Sequence, residues 1–306
     1  MPSPFSTTLV TLSLLMGGDA LAQPTGSAAT PAPAPAVAPA PPVFAMPGMN
    51  VYRRFDETLT PQMVKFYDEV LDLKALQPIQ LNASQQMILF GIGHAQIKLA
   101  AGFKEGRQYQ VGKGVNEAVG IRLFALHYAQ EAPLVARFRA AGLPAPAFRD
   151  MGHGKRGALV RDPGGFTIQL VVGPNPAPGV EVGINVSDLA RSRKFYREFV
   201  GLEELPPVED KLLGVTKYPY RHGETVINLW QAGRNLPADT GSAGIQYVIA
   251  NVDAVNARAL AQNVAAEEPL GGLPNFSIRF VWLNDADGVT NYFAQQGPRQ
   301  PASAGQ

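Results

Sequence analysis

The chain has 306 residues, with 26 Lys+Arg against 25 Asp+Glu and a net charge of +1; this leaves no basic footprint for nucleic acid and no like-charge run for a membrane surface. It contains no cysteine, which excludes disulfides, thiolate metal sites, a cysteine nucleophile and a cysteine-borne lipid anchor. With 46% hydrophobic residues there is apolar material for about two ordinary domains.

The first element is a short apolar run, Leu9–Met16, followed by Ala20-Leu21-Ala22. It reads as the hydrophobic segment and cleavage site of a signal peptide over residues 1–22, and so predicts a periplasmic or secreted protein. The positive segment that normally precedes such a run is missing, since the first 16 residues hold no Lys or Arg. The run is too short to span a bilayer, which takes about 20 apolar residues. Residues 23–47 are dominated by Pro and Ala and predict an extended spacer with no core. Such a stretch either holds a folded unit away from a surface or is tolerated low complexity.

Two dissimilar motifs then recur in the same order. Phe66–Leu73 (FYDEVLDL) returns as Phe195–Leu202 (FYREFVGL), and Asp162–Leu170 (DPGGFTIQL) returns as Asp285–Phe293 (DADGVTNYF). The chain therefore predicts two tandem copies of one unit, residues 48–173 and 179–297, joined by a Pro/Gly-rich stretch. Residues 298–306 predict a disordered tail. In the first copy, Thr60-Pro61 opens a helix as cap and first residue, with Asp72 where a capping glycine would normally stand. Pro133 opens a second helix and Gly142 closes it. In the second copy, Glu181–Val186 alternates as a half-buried strand. Asp188 caps a helix that Gly201 ends. Strands follow around Lys211–Tyr218, Thr225–Trp230 and Ile245–Ile249, then a helix from Asp253 to Val264, and the last strands at Ile278–Leu283 and Val289–Ala294. Each copy is strand-helix-strands taken twice, an α+β unit.

Val182–Leu205 (VGINVSDLARSRKFYREFVGLEEL) resembles the opening of a vicinal oxygen chelate domain, and LNDADGVTNYF and VRDPGGFTIQL resemble its closing hairpin strand. This is the superfamily of glyoxalases, bleomycin-resistance proteins and extradiol dioxygenases. The resemblance implies paired βαβββ modules that form curved sheets around a cleft in each copy, with the copies packed as an internal pseudo-dimer. In metal-using members, His, Gln and Glu ligands come from four strand positions. Carried onto the second copy, these positions are Glu181, Asn228, Gly244 (with Gln246 one rung along) and Tyr292. In the first copy they are Asn50, Lys98, Gly120 or Arg122, and Gln169. One carboxylate, several amides, a phenol and a lysine make a poor site for a divalent cation, so no metal or other cofactor is expected.

The strand alternation that buries Val51 and Phe55 turns Asn50, Tyr52 and Arg54 toward the cleft, where Lys98 and Gln169 are expected beside them. The second copy's matching set is Glu181, Asn185, Asn228, Trp230, Thr290 and Tyr292. Such polar groups flanked by aromatics suit a small organic ligand, and Arg54 with Lys98 favours an anionic group. Taken singly, Arg54 reads equally as a solvated edge residue and Trp230 as core packing. His94, His127, His153 and His222 read as surface or loop histidines, with His153 alone a possible general base. The predicted function is small-molecule binding without metal. The alternatives are a metal-dependent glyoxalase-like lyase or isomerase, a ring-cleaving dioxygenase, or an adaptor.

Overall fold

A computed structural model of the chain describes residues 39–103, 114–273 and 276–297. The expected signal peptide, the spacer as far as residue 38 and the tail at 298–306 lie outside the described residues. The first repeat supplies β1 (Asn50–Arg54), α1 (Thr60–Lys65), β2 (Lys74–Gln80), β3 (Gln86–Ile92) and β4 (Ala95–Ala101). It continues with β5 (Gly120–Tyr128), α2 (Glu131–Ala140), β6 (Arg149–Gly152), β7 (Lys155–Arg161) and β8 (Thr167–Val172). The second supplies β9 (Glu181–Asn185), α3 (Leu189–Lys194), β10 (Glu203–Glu204), β11 (Val208–Asp210), β12 (Val215–His222) and β13 (Thr225–Trp230). β14 (Ala243–Val248), α4 (Val252–Ala261), β15 (Ala266–Leu273), β16 (Ile278–Asn284) and β17 (Thr290–Gln296) complete it.

These strands form two sheets, in the orders β15-β16-β17-β14-β1-β4-β3-β2 and β10-β12-β13-β9-β5-β8-β7-β6. Each sheet joins the first module of one repeat to the second module of the other. β1 runs antiparallel to β14, with Asn50 opposite Gln246 and Tyr52 opposite Gly244. β5 runs antiparallel to β9, with Ala125 opposite Glu181. This corrects the expectation of one cleft per copy: each cleft is walled by both copies. The physical reason is at the edges. β1 and β9 each carry one parallel neighbour within their own module, and pairing across the repeats covers the edge that would otherwise stay open.

Strand alternation divides the faces. Val51, Phe55, Ile97 and Leu99 of the first sheet, and Phe124, Ile168, Val182 and Ile184 of the second, enter one shared apolar core with the helices. The opposite faces line the clefts. At the helices the two sequence motifs meet. α1 and α3 each widen into a π-type turn, at Phe66–Val70 and Phe195–Phe199, in which Leu71 N donates to Phe66 O at 2.9 Å and Val200 N to Phe195 O at 3.0 Å. The next tyrosine then reaches the closing turn of its own repeat. Tyr67 Oη donates to Asp162 Oδ2 at 2.9 Å, and Tyr196 Oη donates to Asp285 Oδ2 at 3.0 Å. Asp162 also forms a buried ion pair with Arg53. The residue of β9 in the same place is Ile184, so Asp285 has no such cation.

Several local expectations shift. Thr60 is not the cap of the first helix; Asp56 caps a preceding tight turn by accepting from Thr58 N at 3.0 Å. Residues 211–214 form a turn, because Asp210 accepts from Leu212 N and Leu213 N, and the strand begins at Val215. Asp72 and Gly201 both end their helices at positive φ, 61° and 83°. β15 was not expected from AEEPLGGL; it is an exposed edge strand whose Pro and paired Gly break the alternating pattern. The end of the spacer is also corrected. Residues 43–47 dock on the folded unit, where Ala250 N donates to Val43 O, Ala45 N donates to Val248 O and Phe44 stacks on His222 at 3.9 Å. Among the described residues no helix is long and apolar enough to cross a membrane.

Candidate functional site

The first sheet's open face holds the more apolar of the two clefts. Register sets its wall: Tyr52 lies beside Lys98 on β4 and Gly244 on β14, while Gln246 lies between Asn50 and Tyr292. Trp282 on β16 pairs with Tyr292, their rings 5.2 Å apart and edge-on. Gln246 is the hub. Its Oε1 accepts from Lys98 Nζ at 2.6 Å and from Asn50 Nδ2 at 3.0 Å, and Asn50 Oδ1 accepts from Gln96 N at 2.9 Å. The cavity above this wall measures about 140 Å³, with Arg54 and apolar side chains such as Met87, Leu89 and Ile278 completing it. Burial pushes the half-buried Lys98 amine down to about 8. Burial also raises the Tyr52 phenol to about 12, against a smaller opposing effect of Thr290. Gly244 is glycine for a steric reason: a Cβ there would overlap the Tyr52 ring.

The second sheet's open face carries its own polar network, in which His127, Glu181, Asp210 and Lys217 line a space and pair with one another. Glu181 Oε1 meets His127 Nε2 at 2.8 Å, and Oε2 accepts from Asn228 Nδ2 at 2.7 Å. Asp210, on β11, accepts from Gln169 Nε2 at 2.9 Å and pairs with Lys217 at 3.1 Å. Burial would raise the Glu181 carboxyl, but His127 together with Lys217 and Asn228 outweighs it and holds the group at about 2. Trp230, only 1% exposed, fills the wall and donates to Asn116 Oδ1 at 2.9 Å. His153 sits at the rim of a space of about 260 Å³ on a left-handed turn residue, φ 54°.

The expected site residues are thus regrouped. Tyr52, Arg54, Lys98 and Tyr292 line the first cleft, with Asn50 buried against Gln246 behind them; Glu181 lines the second, with Gln169, Asn228 and Trp230 on the same sheet. Gln169 does not join Lys98, because β8 belongs to the other sheet. Thr290 is fully buried beneath the first cleft and donates to Glu267 at 2.6 Å. Asn185 serves the fold, donating to Ala118 O and accepting from Ala232 N, each at 2.9 Å. Arg122 is buried and paired with Asp239 at 3.0 Å. His127 is corrected from a surface histidine to a β5 residue whose side chain is 4% exposed. Trp282, Asp210 and Lys217 were missed. Alternation along β16 separates Phe280 and Trp282 from Val281 and Leu283 and could have flagged the first, whereas β11 is too short to leave a pattern.

Neither wall fits a divalent ion. In the first, Lys98 already bonds the amide at the centre, and the remaining positions offer two amides and a phenol. In the second, both Glu181 oxygens are engaged, and Ala125 offers no donor where a third ligand would stand. Among the described residues no three His, Cys, Asp or Glu side chains converge on one point.

No family model matches the chain. It is 27% identical over 257 residues to a lactoylglutathione lyase of Arabidopsis thaliana, covering 78% of this chain and 87% of that one. It is 28% identical over 260 residues to a chloroplastic protein of the same plant named as a probable lactoylglutathione lyase, covering 79% and 71%. The crystal structure of glyoxalase I from Zea mays shares the fold, with a TM-score of 0.64 at 18% identity over 81% of this chain and 92% of that one. In its paired βαβββ modules and its doubled motifs, and through these relatives, the chain is similar to the vicinal oxygen chelate superfamily.

Proposed function

We propose that the chain is a glyoxalase I-like protein that takes a small organic molecule into the first cleft and acts on it as a lyase or isomerase. The relatives support turnover over the expectation of a plain binding protein, since those reported carry lyase names and match over most of their lengths. The observation that carries the choice of cleft is the contrast between the walls. The first has a cavity floored by Lys98 and Gln246 and ringed by Tyr52, Trp282 and Tyr292; in the second, the charged groups satisfy one another. A second reading, retention of the molecule without turnover, is favoured by one observation: the donor sets do not fit the ion that metal-using members employ.

The chain's own residues allow a limited chemistry. Lys98 can donate to a carbonyl or carboxylate oxygen, the Tyr52 and Tyr292 phenols stay protonated at neutral pH because burial raises both, and the aromatic walls exclude water. The test is conversion of the methylglyoxal–glutathione adduct to its thioester by the full chain, with and without a chelator. Turnover that survives chelation and falls at least tenfold in Lys98→Met supports the main reading. Absent turnover with stoichiometric ligand binding selects the second. Stoichiometric metal that Glu181→Ala removes would overturn the choice of cleft.

A further inference from the structure

Among the described residues that line the first cleft, the polar side chains are a lysine, an arginine, an amide, two phenols and an indole, and none is an acid. Among the described residues Lys98 has no carboxylate within ion-pair reach; its Nζ donates only to the neutral Gln246. Arg54 lies over the face of Trp282, its guanidinium carbon 5.9 Å from the ring centroid. The indole Nε1 of Trp282 is itself buried, with no acceptor among the described residues. An ammonium in an apolar pocket is costly unless an anion accompanies it, and a carboxylate forms charge-assisted bonds with such donors. A cavity of about 140 Å³ matches one aromatic ring or a branched chain of similar bulk, since a void of about 150 Å³ admits benzene.

We propose that the first cleft binds a small monocarboxylate with an aromatic or branched apolar body, its carboxylate seated on Lys98 within reach of Arg54, and its body among Tyr52, Trp282 and Tyr292. The proposal rests on the first cleft being the working site and names the chemistry of what enters it. The ammonium would then hold the position at which metal-using members of the superfamily place a ligand to their ion, so that a fixed cation attracts the ligand's charge directly.

The groups that face Lys98 come from several strands: Arg54 and Tyr52 on β1, Gln246 on β14 and Tyr292 on β17, with Glu267 on β15 engaged by Thr290. Both phenols are raised by burial, Tyr52 to about 12, and an arginine keeps its charge in alkaline solution. Between neutral pH and about 9.5, Lys98, at about 8, is therefore the group on this wall that discharges, and carboxylate binding should weaken on the order of tenfold.

The experiment titrates the full chain with phenylacetate and with phenylacetamide, a neutral near-isostere, by calorimetry and by Trp282 fluorescence in a Trp230→Phe background. We expect phenylacetate to bind at least tenfold more tightly at neutral pH, the preference to vanish in Lys98→Met and to persist in Lys98→Arg, and alkaline pH to weaken phenylacetate alone. Equal affinity for the two probes, a preference that outlives Lys98→Met, or no binding of either probe overturns the proposal. Met87→Trp, which fills the cavity from a half-buried position on β3, separates the two layers of inference. Amide binding that this variant blocks leaves the cleft as the working site and removes only the carboxylate. Probe binding that it leaves untouched removes the cleft itself.

Discussion

The two closing-turn aspartates form a natural experiment. Asp162 and Asp285 occupy the same place in the two repeats and accept from corresponding tyrosines, Tyr67 and Tyr196, yet Asp162 has Arg53 beside it and Asp285 has Ile184 on the corresponding strand. Burial, only partly offset by hydrogen bonds from Val289 N, Asp287 N and Tyr196, pushes the Asp285 carboxyl from its ordinary 3.8 up to about 6. A carboxyl raised in the folded state favours folding in its protonated form, so its contribution is complete below about pH 4 and is gone above about pH 6; at neutral pH the charged group costs ~3 kcal/mol. Asp285→Asn removes the titration, keeps an acceptor for the two backbone N–H groups and offers its amide to the Tyr196 oxygen. Integrating the same two values, the stability of the variant relative to the wild type should improve by about 2 kcal/mol between about pH 4.5 and about pH 7.5. Urea unfolding of both proteins at the two pH values measures it. A relative stability that stays constant within about 0.5 kcal/mol would refute the account of an unpaired buried acid.

Arg53→Met should act in the opposite sense at its own turn: it strands Asp162 without its cation and should cost about 3–5 kcal/mol at neutral pH, read from the same unfolding curves. His127→Leu should destabilise by about 3 kcal/mol at neutral pH, because Glu181 is left buried with a weaker set of partners. Since Glu181 is held at about 2 in the folded chain, the wild type forfeits that advantage as acid approaches this value, and the deficit should narrow below about pH 4. Gly244→Ala should drive the Tyr52 ring toward the cavity, lower stability by about 1–3 kcal/mol and abolish the Trp282 fluorescence response to phenylacetate.

The α+β class, the paired modules and the alternation of β1 were legible because hydrophobic period and turn residues are local signals. Val51 and Phe55 had to be buried, and so Asn50, Tyr52 and Arg54 had to face the other way. What the sequence could not disclose was the exchange of modules between repeats. Alternation says which face a residue joins and nothing about which strand lies beside it, and for that reason Gln169 was expected next to Lys98, and Gln246, the hub of the wall, was expected only one rung along from Gly244. His127 was misread for a related reason: it lies near the end of β5, where a strand gives way to a helix, and only its pairing with Glu181 on a distant strand makes it interior. The Tyr–Asp bonds explain in retrospect why the two motifs recur together, although the repeat alone did not say that they touch.

Because each cleft borrows one wall from either half of the polypeptide, neither half is a smaller working version of the whole. A chain cut between residues 173 and 179 would yield two pieces whose binding surfaces are each incomplete, with β1 and β14 in one surface and β5 and β9 in the other seeking their missing neighbours. Such pieces should regain a cleft only on mixing. Unlike beads on a string, in which one copy could decay while its twin kept working, this chain commits both copies to each surface, and a change that loosens either half is felt in both.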